Sequence, residues 1–436
     1  MKVLIIGCGL AGLATALSLS SIKKEQDDDD DDIQITIIER RTNLDSRGAT
    51  FGLQRNGQHA LQEIAGVKVV DELKRAGVLI PSTGGYMLPW WKVRDVLLER
   101  VQEEAKSNSS EKIQIHLGMS IDTVTEHEDG TYVVTFVKNG KDEEEKLQIE
   151  ADLIIGADGV HSHVRQEILS LPKATSSGAY VWRGTVDTNN TDDLKHMQEF
   201  PLSRLQKFGE GMILVYFNFH PKVEGQLAWV FTARANALPE TVTIDCGTTT
   251  PIDLIQAFMD STDGTNGDDD EEEELKENCE LAMLVFNNTH QPSDLTWSSE
   301  MGVVDLNNKE DIVSWGGKGR ITIIGDAAHA LRPASGLGGS LAFEDAALLA
   351  RYIAKSNTSS AASIEEHLRE FERIRLPRCK SISNDQSIRS ELSYKVGFGG
   401  VPAWDPAYKE WVYGGIDSSP EPPVSEMDVL VDLLSD

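Results

Sequence analysis

The segment Gly7-Cys8-Gly9-Leu10-Ala11-Gly12 constrains the fold of this chain more than any other stretch. It follows an apolar run, Val3-Leu4-Ile5-Ile6, and precedes Leu13, Ala14, Leu17 and Leu19, which supply the apolar face of a helix. In such a strand-to-helix passage the first glycine permits the tight turn and the second lets a pyrophosphate approach the backbone. The third lets helix pack on strand. The helix N-terminus offers free N–H groups and partial positive charge to the phosphates. A second strand, Ile35 to Ile38, ends in Glu39, whose carboxylate can bind the ribose hydroxyls of an adenosine. The spacing from Gly12 to Glu39 is long because the acidic run Asp27 to Asp32 falls in the helix-to-strand loop, where insertion costs little. The pattern predicts dinucleotide binding through Gly7, Gly9, Leu10, Ala11, Gly12, Glu39 and the adjoining Arg40.

Two further motifs lie far downstream. Gly156-Ala157-Asp158-Gly159, extended by Ser162 and Arg165, ends a buried strand, Asp152 to Gly156. Asp158 then stands where a strand's carboxyl end meets a ligand crevice, although a plain Asp-Gly turn accounts for the motif taken alone. Gly325-Asp326-Ala327-Ala328-His329 follows the apolar run Ile321 to Ile324. It leads through Pro333 and Gly336-Leu337-Gly338-Gly339 to a helix-like stretch, Ser340 to Ala354. Gly325 allows close approach, and Asp326 can accept a hydrogen bond from a ribityl hydroxyl. A helix starting near Ser340, after Gly338 and Gly339, can aim its N-terminus at the pyrimidine edge of an isoalloxazine, where reduced flavin is negative. His329 reads as structural, since the sequence shows no partner for it.

The chain has 436 residues, which fits two or three interleaved domains. Residues 1–170 are expected to form the first part of a FAD-binding domain. Within them, Ile113-Gln114-Ile115 and Tyr132 to Val137 suggest a small antiparallel sheet. Residues 171–299, strand-rich and aromatic, suggest a sheet-based substrate domain with an acidic disordered loop at 263–277. Residues 300–392 complete the FAD-binding domain with helices that break near Pro377. Residues 393–436 read as a tail, with a short amphipathic stretch from Val424 to Leu434. The fold class is α/β: a three-layer Rossmann-like domain with a parallel sheet and a small antiparallel sheet, an interleaved substrate domain, and C-terminal helices.

The formal charge of −30 argues against nucleic acid and against anionic membrane surfaces. No apolar run reaches the about 20 residues of a membrane helix, so integral membrane association is not expected. The four cysteines have no metal-ligand spacing and read as reduced thiols, and no metal is expected. A strand-like run directly at the N-terminus predicts no leader and a cytoplasmic protein. Monomer and homodimer are both compatible with the sequence.

Together the three motifs resemble those of the single-component FAD-dependent aromatic hydroxylases, the group that includes salicylate and 4-hydroxybenzoate hydroxylases, with zeaxanthin epoxidase as a relative. Arg94-Asp95-Val96-Leu97 is similar to the Arg-x-x-Leu that places an arginine, here Arg94, near the FAD. Trp182-Arg183-Gly184 and Arg375-Leu376-Pro377-Arg378 are similar to family segments of the substrate domain and of a helix after the flavin site. The chain departs from the family at Gly336-Leu337-Gly338-Gly339-Ser340, where many members carry Gly-Gln-Gly-x-Asn. The resemblance implies noncovalent FAD held by Gly7 to Gly12, Glu39, Arg40, Arg94, Asp158, Gly159, Gly325, Asp326, Pro333, Gly338, Gly339 and Ser340. It implies NADPH or NADH as donor, and transfer of oxygen from O2 through a flavin C4a-hydroperoxide to an aromatic or terpenoid substrate.

No second Gly-x-Gly-x-x-Gly follows another strand, so the nicotinamide donor is expected to dock transiently, near Asp158 and Arg47. Arg183, Tyr216, Trp229 and Pro333 are candidate walls of the substrate cavity, and His220 a candidate base, against ordinary core packing for each. Two other classes share parts of the pattern. A flavin halogenase would carry Trp-x-Trp-x-Ile-Pro, which is absent, and a non-catalytic prenyl-binding relative would not keep the Asp326 block.

Overall fold

The computed structural model describes residues 1–22, 33–44, 50–107, 112–139, 146–209, 211–220, 222–238, 243–245, 247–262, 269–290, 299–306, 315–332, 336–357, 360–396 and 401–423. In chain order the first half runs β1 (Lys2–Ile6), α1 (Leu10–Ser20), β2 (Gln34–Glu39), β3 (Phe51–Leu53), α2 (Arg55–Ala65), α3 (Val67–Ala76), β4 (Val78–Ile80), β5 (Gly85–Leu88), α4 (Trp90–Ser107), β6 (Ile113–Leu117), β7 (Met119–Glu126), β8 (Tyr132–Lys138), β9 (Lys146–Ala151) and β10 (Leu153–Gly156). The inserted part holds β11 (Thr175–Asp187), α5 (Asp192–Lys195), β12 (Ser203–Phe208), β13 (Met212–Asn218), β14 (Gln226–Arg234), α6 (Pro251–Thr262), α7 (Asp269–Asn287) and β15 (Ser299–Val303). The chain then returns with β16 (Ile321–Ile323), α8 (Asp326–His329), α9 (Gly338–Lys355), α10 (Ala361–Val396) and α11 (Pro406–Gly414).

Five strands form a parallel sheet in the order β16-β10-β1-β2-β6. β1 and β10 are continuous apolar runs, buried from Val3 to Ile6 and from Leu153 to Gly156, as expected for strands covered on both faces. On one face α1 packs against α9 and α4. A three-stranded antiparallel sheet, β7-β8-β9, lies beside it. Ile113 to Ile115 does not belong to that small sheet, contrary to the sequence expectation. It forms β6 at the edge of the parallel sheet, paired with β2. Short alternating runs carry no mark of parallel or antiparallel partnership, so this choice is made by tertiary packing.

The inserted part is a five-stranded antiparallel sheet, β12-β13-β14-β11-β15. One face carries Trp182, Leu214, Tyr216, Trp229 and Phe231, buried in a common core with Leu254 and Ile255 of α6 and with Ala282, Val285 and Phe286 of α7. This core corrects the expected disordered loop, because residues 269–277 are the first half of α7 and only 263–268 lie outside the described residues. Acidic side chains favour the N-terminal turn of a helix, and the apolar side chains of its second half anchor it.

The C-terminal region departs from expectation in two more places. α10 runs without a break through Pro377. Pro377 removes one backbone donor, but Leu376, Cys379 and Ile382 beside it are buried and hold the helix. The expected tail contains α11, capped by Asp405 Oδ1, which accepts from the N–H groups of Ala407 and Tyr408, with Pro406 in the first turn. Tyr408, Trp411, Val412 and Tyr413 pack there against Leu337 and Leu341 of the α9 N-terminus. The stretch 424–434 lies outside the described residues.

Candidate flavin site

The sheet register brings the separated motifs into one row. Ile6 pairs with Gly156, Gly156 with Ile323, and Ile6 with Ile38. The strands therefore end at one level, and the next residues continue the ladder. The Gly7 N–H donates to Ile38 O at 2.8 Å, Ala157 N–H to Ile6 O at 2.8 Å, and Ile324 N–H to Gly156 O at 2.9 Å. Gly7, Glu39, Asp158 and Asp326 thus cluster at the carboxyl ends of neighbouring strands, where open α/β sheets bind their ligands.

The glycines of the first turn differ in what surrounds them. Gly7 has φ +111°, and a Cβ there would stand 2.3 Å from Ala157 O. A Cβ on Gly12 would stand 2.0 Å from Gly7 O, so helix and turn touch through bare backbone. Gly9 is different, since a Cβ there would meet nothing within 4 Å. It is the residue that opens the backbone outward, as a pyrophosphate lying across the α1 N-terminus requires. Leu10, the first residue of α1, is buried, which fixes the helix start.

Glu39 receives the Cys8 N–H at 3.1 Å on one oxygen and the Arg41 N–H at 2.9 Å on the other. Its carboxylate is thereby held against the glycine turn, while the neighbouring Arg40 is exposed. Arg94 is buried, bonded through Nε and Nη2 to Asp95 Oδ1 at 2.9 and 2.6 Å, with its guanidinium 5.6 Å from the Trp90 ring. It lies near the glycine turn. Burial and Glu39 push the Cys8 thiol up to about 12, and Arg94 acts against them. Asp158 Oδ2 accepts from the N–H groups of His163 and Val164 at 2.7 and 3.2 Å, clamping a single π-helical turn, Val164–Ile168. Burial raises the Asp158 carboxyl above its usual range in spite of these donors. Gly159, at φ +80°, has open space where a Cβ would be.

The third motif supplies the opposite side. Gly325 has φ +58°, and a Cβ there would come within 3.1 Å of Ala11 Cβ and 3.3 Å of Ala342 Cβ. The turn is therefore wedged between α1 and α9. Asp326 is solvent-exposed, yet it lies deep enough among protein atoms that desolvation raises its carboxyl, with His329 and Arg183 acting the other way. An open carboxylate at the base of a crevice suits a ligand hydroxyl that would cover it. Asp326 Oδ1 lies 3.8 Å from the position of a Gly338 Cβ, at the α9 N-terminus. A Cβ on Gly339 would stand 2.1 Å from the Phe51 ring, so that glycine serves close packing. The Ser340 hydroxyl donates to Gly52 O at 3.3 Å and accepts from the Gln54 N–H at 3.2 Å. The serine is thus committed to β3. The space at Gly9 and Gly159 and the open Asp326 fit a dinucleotide laid across the row.

His329 has a partner that the sequence did not reveal. Its Nε2 lies 2.6 Å from Asp345 Oδ2, and both side chains are fully buried. Burial disfavours the charged ring, but Cys379 and Asp345 outweigh it and raise the imidazole well above its ordinary value.

The other face of the antiparallel sheet turns toward the third motif, since Arg183 on it interacts with Asp326. Arg183 pairs with Val230, and Val230 with Val215. This row faces away from the helices, and Arg183 is close enough to Asp326 for the carboxylate to support its charge against desolvation. The neighbouring row, Gly184, Trp229 and Tyr216, faces α6 and α7. Tyr216 and Trp229 are therefore core residues and not cavity walls. The Tyr216 hydroxyl donates to Gln206 Oε1 at 2.6 Å, and Trp229 Nε1 donates to the Thr289 hydroxyl at 3.2 Å. One position along a strand changes the face. On the face that bears Arg183, Phe217 and Val230 gather with Val78 of β4 and Met87 of β5. His220 Nδ1 accepts the Gly225 N–H at 3.3 Å inside the β13–β14 connection. Pro333, Arg47 and residues 397–400 lie outside the described residues.

A family model described as FAD binding domain matches residues 1–385. The chain belongs to this FAD-binding family. It is 26% identical over 422 residues to the aurachin C monooxygenase/isomerase of Stigmatella aurantiaca, covering 94% of this chain and 92% of that protein. It is 25% identical over 411 residues to the chloroplastic zeaxanthin epoxidase of Oryza sativa subsp. japonica, covering 87% of this chain and 54% of that longer protein. Among solved structures, that of CtdE in complex with FAD and a substrate superposes with a TM-score of 0.69 at 16% identity over the whole of both chains. The chain is an enzyme of the FAD-dependent monooxygenase class, which sets aside the non-catalytic prenyl-binding reading. Among the described residues, no helix is long and apolar enough to cross a membrane.

Proposed function

We propose that this flavoenzyme uses NADPH or NADH and O2 to hydroxylate, or epoxidise, a small aromatic or terpenoid-like unsaturated substrate in the cytoplasm. The observation that carries the substrate class is the face of the antiparallel sheet that bears Arg183, where Phe217 and Val230 meet Val78 and Met87. Apolar side chains of this kind shelter a ring or double bond and exclude water, which favours oxygen transfer over loss of peroxide. The names of the relatives, a monooxygenase/isomerase and an epoxidase, agree with this class.

Bound FAD would supply the redox chemistry, taking hydride from the nicotinamide and activating oxygen. The chain's part is to hold and orient it. Gly9 and the α1 N-terminus would hold the pyrophosphate, Glu39 the adenosine ribose and Asp326 the ribityl chain. The α9 N-terminus would stabilise the negative charge that reduction places on the flavin. Arg183, opposite Asp326, marks the boundary between cofactor and substrate. The donor docks transiently beside Asp158. That part of the reading is abandoned if Asp158→Ala leaves both FAD content and NAD(P)H-dependent reduction unchanged.

A panel of aromatic acids, phenols and terpenoids, scored by stimulation of NAD(P)H oxidation and by incorporation of labelled oxygen from 18O2, tests the proposal. Stimulated oxidation with label in the organic product supports it. Oxidation that yields only peroxide across the panel counts against it.

A further inference from the structure

Two adjacent carboxylates on α9, Glu344 and Asp345, are fully buried. Successive helix positions point about 100° apart, and Glu344 and Asp345 serve different neighbourhoods accordingly. Asp345 Oδ2 accepts the Gly325 N–H at 2.9 Å and lies 2.6 Å from His329 Nε2, while its Oδ1 accepts from Arg375 Nε at 2.8 Å. Glu344 Oε2 accepts from Arg375 Nη1 at 2.7 Å and Arg378 Nε at 2.8 Å. Its Oε1 accepts from Asn56 Nδ2 at 2.7 Å and Arg378 Nη2 at 2.9 Å. Arg378 also donates to Trp411 O and Val412 O at 3.0 and 2.7 Å. Glu344 therefore ties the C-terminal helix α11 to α9 and α2, whereas Asp345 ties the Gly325 turn to α8 and α10.

A buried ionic cluster is a poor way simply to glue helices together, since apolar side chains of the same volume often do so as well or better. Such a cluster can instead fix the direction of a polar group. Only one of the two carboxylates grips backbone at the cofactor row. The Gly325 N–H belongs to the residue that precedes Asp326, and Gly325 adopts φ +58°, ψ −142°, a conformation open to glycine but strained for other residues. His329 lies one turn further along α8, with its N–H donating back to Gly325 O at 2.9 Å. Asp345 thus grips both ends of the short helix that begins with Asp326.

We infer that Asp345, acting with His329, is a positioning residue for the flavin: it fixes the Gly325 turn and with it the direction of Asp326, while Glu344, one residue earlier in the same network, binds side chains of α2 and α10 and makes no contact with the Gly325 turn. The test uses apoprotein of the full chain, titrated with FAD and followed by quenching of flavin fluorescence, with the apoprotein melting temperature recorded in parallel. Asp345→Asn is expected to weaken FAD binding at least tenfold. Glu344→Gln, which removes a charge of the same sign from the same network, is expected to lower the melting temperature but to leave FAD affinity within about threefold of the parent. Unchanged affinity in Asp345→Asn overturns the inference, as does an equal loss in both variants. Should Asp345→Asn fail to fold, the electroneutral pair His329→Gln with Asp345→Asn replaces it, with the same tenfold weakening expected and the same two results against it.

Discussion

Gly9 and Gly12 stand three residues apart and answer to different constraints. The space around Gly12 is filled by Gly7 O, so a methyl group there must push helix from strand. The space around Gly9 is open. Gly12→Ala is accordingly expected to yield insoluble or unfolded protein. Gly9→Ala should fold with a melting temperature within about 2 °C of the parent and bind FAD at least tenfold more weakly, a loss of about 1.4 kcal/mol. Thermal melts and FAD titration of the two variants separate a packing glycine from a ligand glycine. At this scale the sequence was most legible where a residue's job is local. Each motif names its own strand end, and the glycine turns stand where the spacing placed them. It was least legible where a job depends on a distant partner. His329 meets Asp345 across 16 residues and Arg375 meets Glu344 across 31. Tyr216 was misplaced because strand parity, not residue type, decides which face it joins.

Helix α10 and helix α11 show how elements reach the site without touching it. α10 keeps its course through Pro377, and its Arg378 carries both a carboxylate of α9 and two carbonyls of α11. A proline within a helical pattern argues for a break when propensity is read alone. Buried neighbours on either side override it. The aromatic cluster of α11 is hidden from a sequence reading for a related reason, because the Gly- and Pro-rich stretch around it gives the composition of a tail. Trp411 is buried, donates through Nε1 to Ser419 O at 2.7 Å, and lies under the Arg378 guanidinium at 4.8 Å. Trp411→Ala is expected to destabilise the fold by about 3–5 kcal/mol, the usual range for a buried large-to-small aromatic change. Urea denaturation checks the value, and a loss below 1 kcal/mol would show that α11 contributes little to the fold.

For the whole molecule, charge and topology matter more than any single contact. With a formal charge of −30, the protein repels the nicotinamide donor it is proposed to use, since NADH and NADPH are anions. Raising ionic strength from about 0.01 M to about 0.15 M shortens the screening length from about 30 Å to about 8 Å. The second-order rate of flavin reduction by donor is therefore expected to increase with salt, the reverse of an electrostatically steered encounter. Stopped-flow reduction under anaerobic conditions at several salt concentrations measures it, and a rate that falls with salt would reveal a basic docking patch that outweighs the net charge.

The row of strand ends has a consequence for biosynthesis. Its members come from residues near 7, 39, 158 and 325, and the antiparallel sheet is made between the third and the fourth. A growing chain that has completed β1, β2 and β10 holds three quarters of a cofactor cradle whose remaining side has not yet been translated. Full cradling of FAD therefore requires the inserted sheet to have been made and β16 to have docked beside β10. The yellow colour of the protein would then be a report that the return crossing of the chain has been completed.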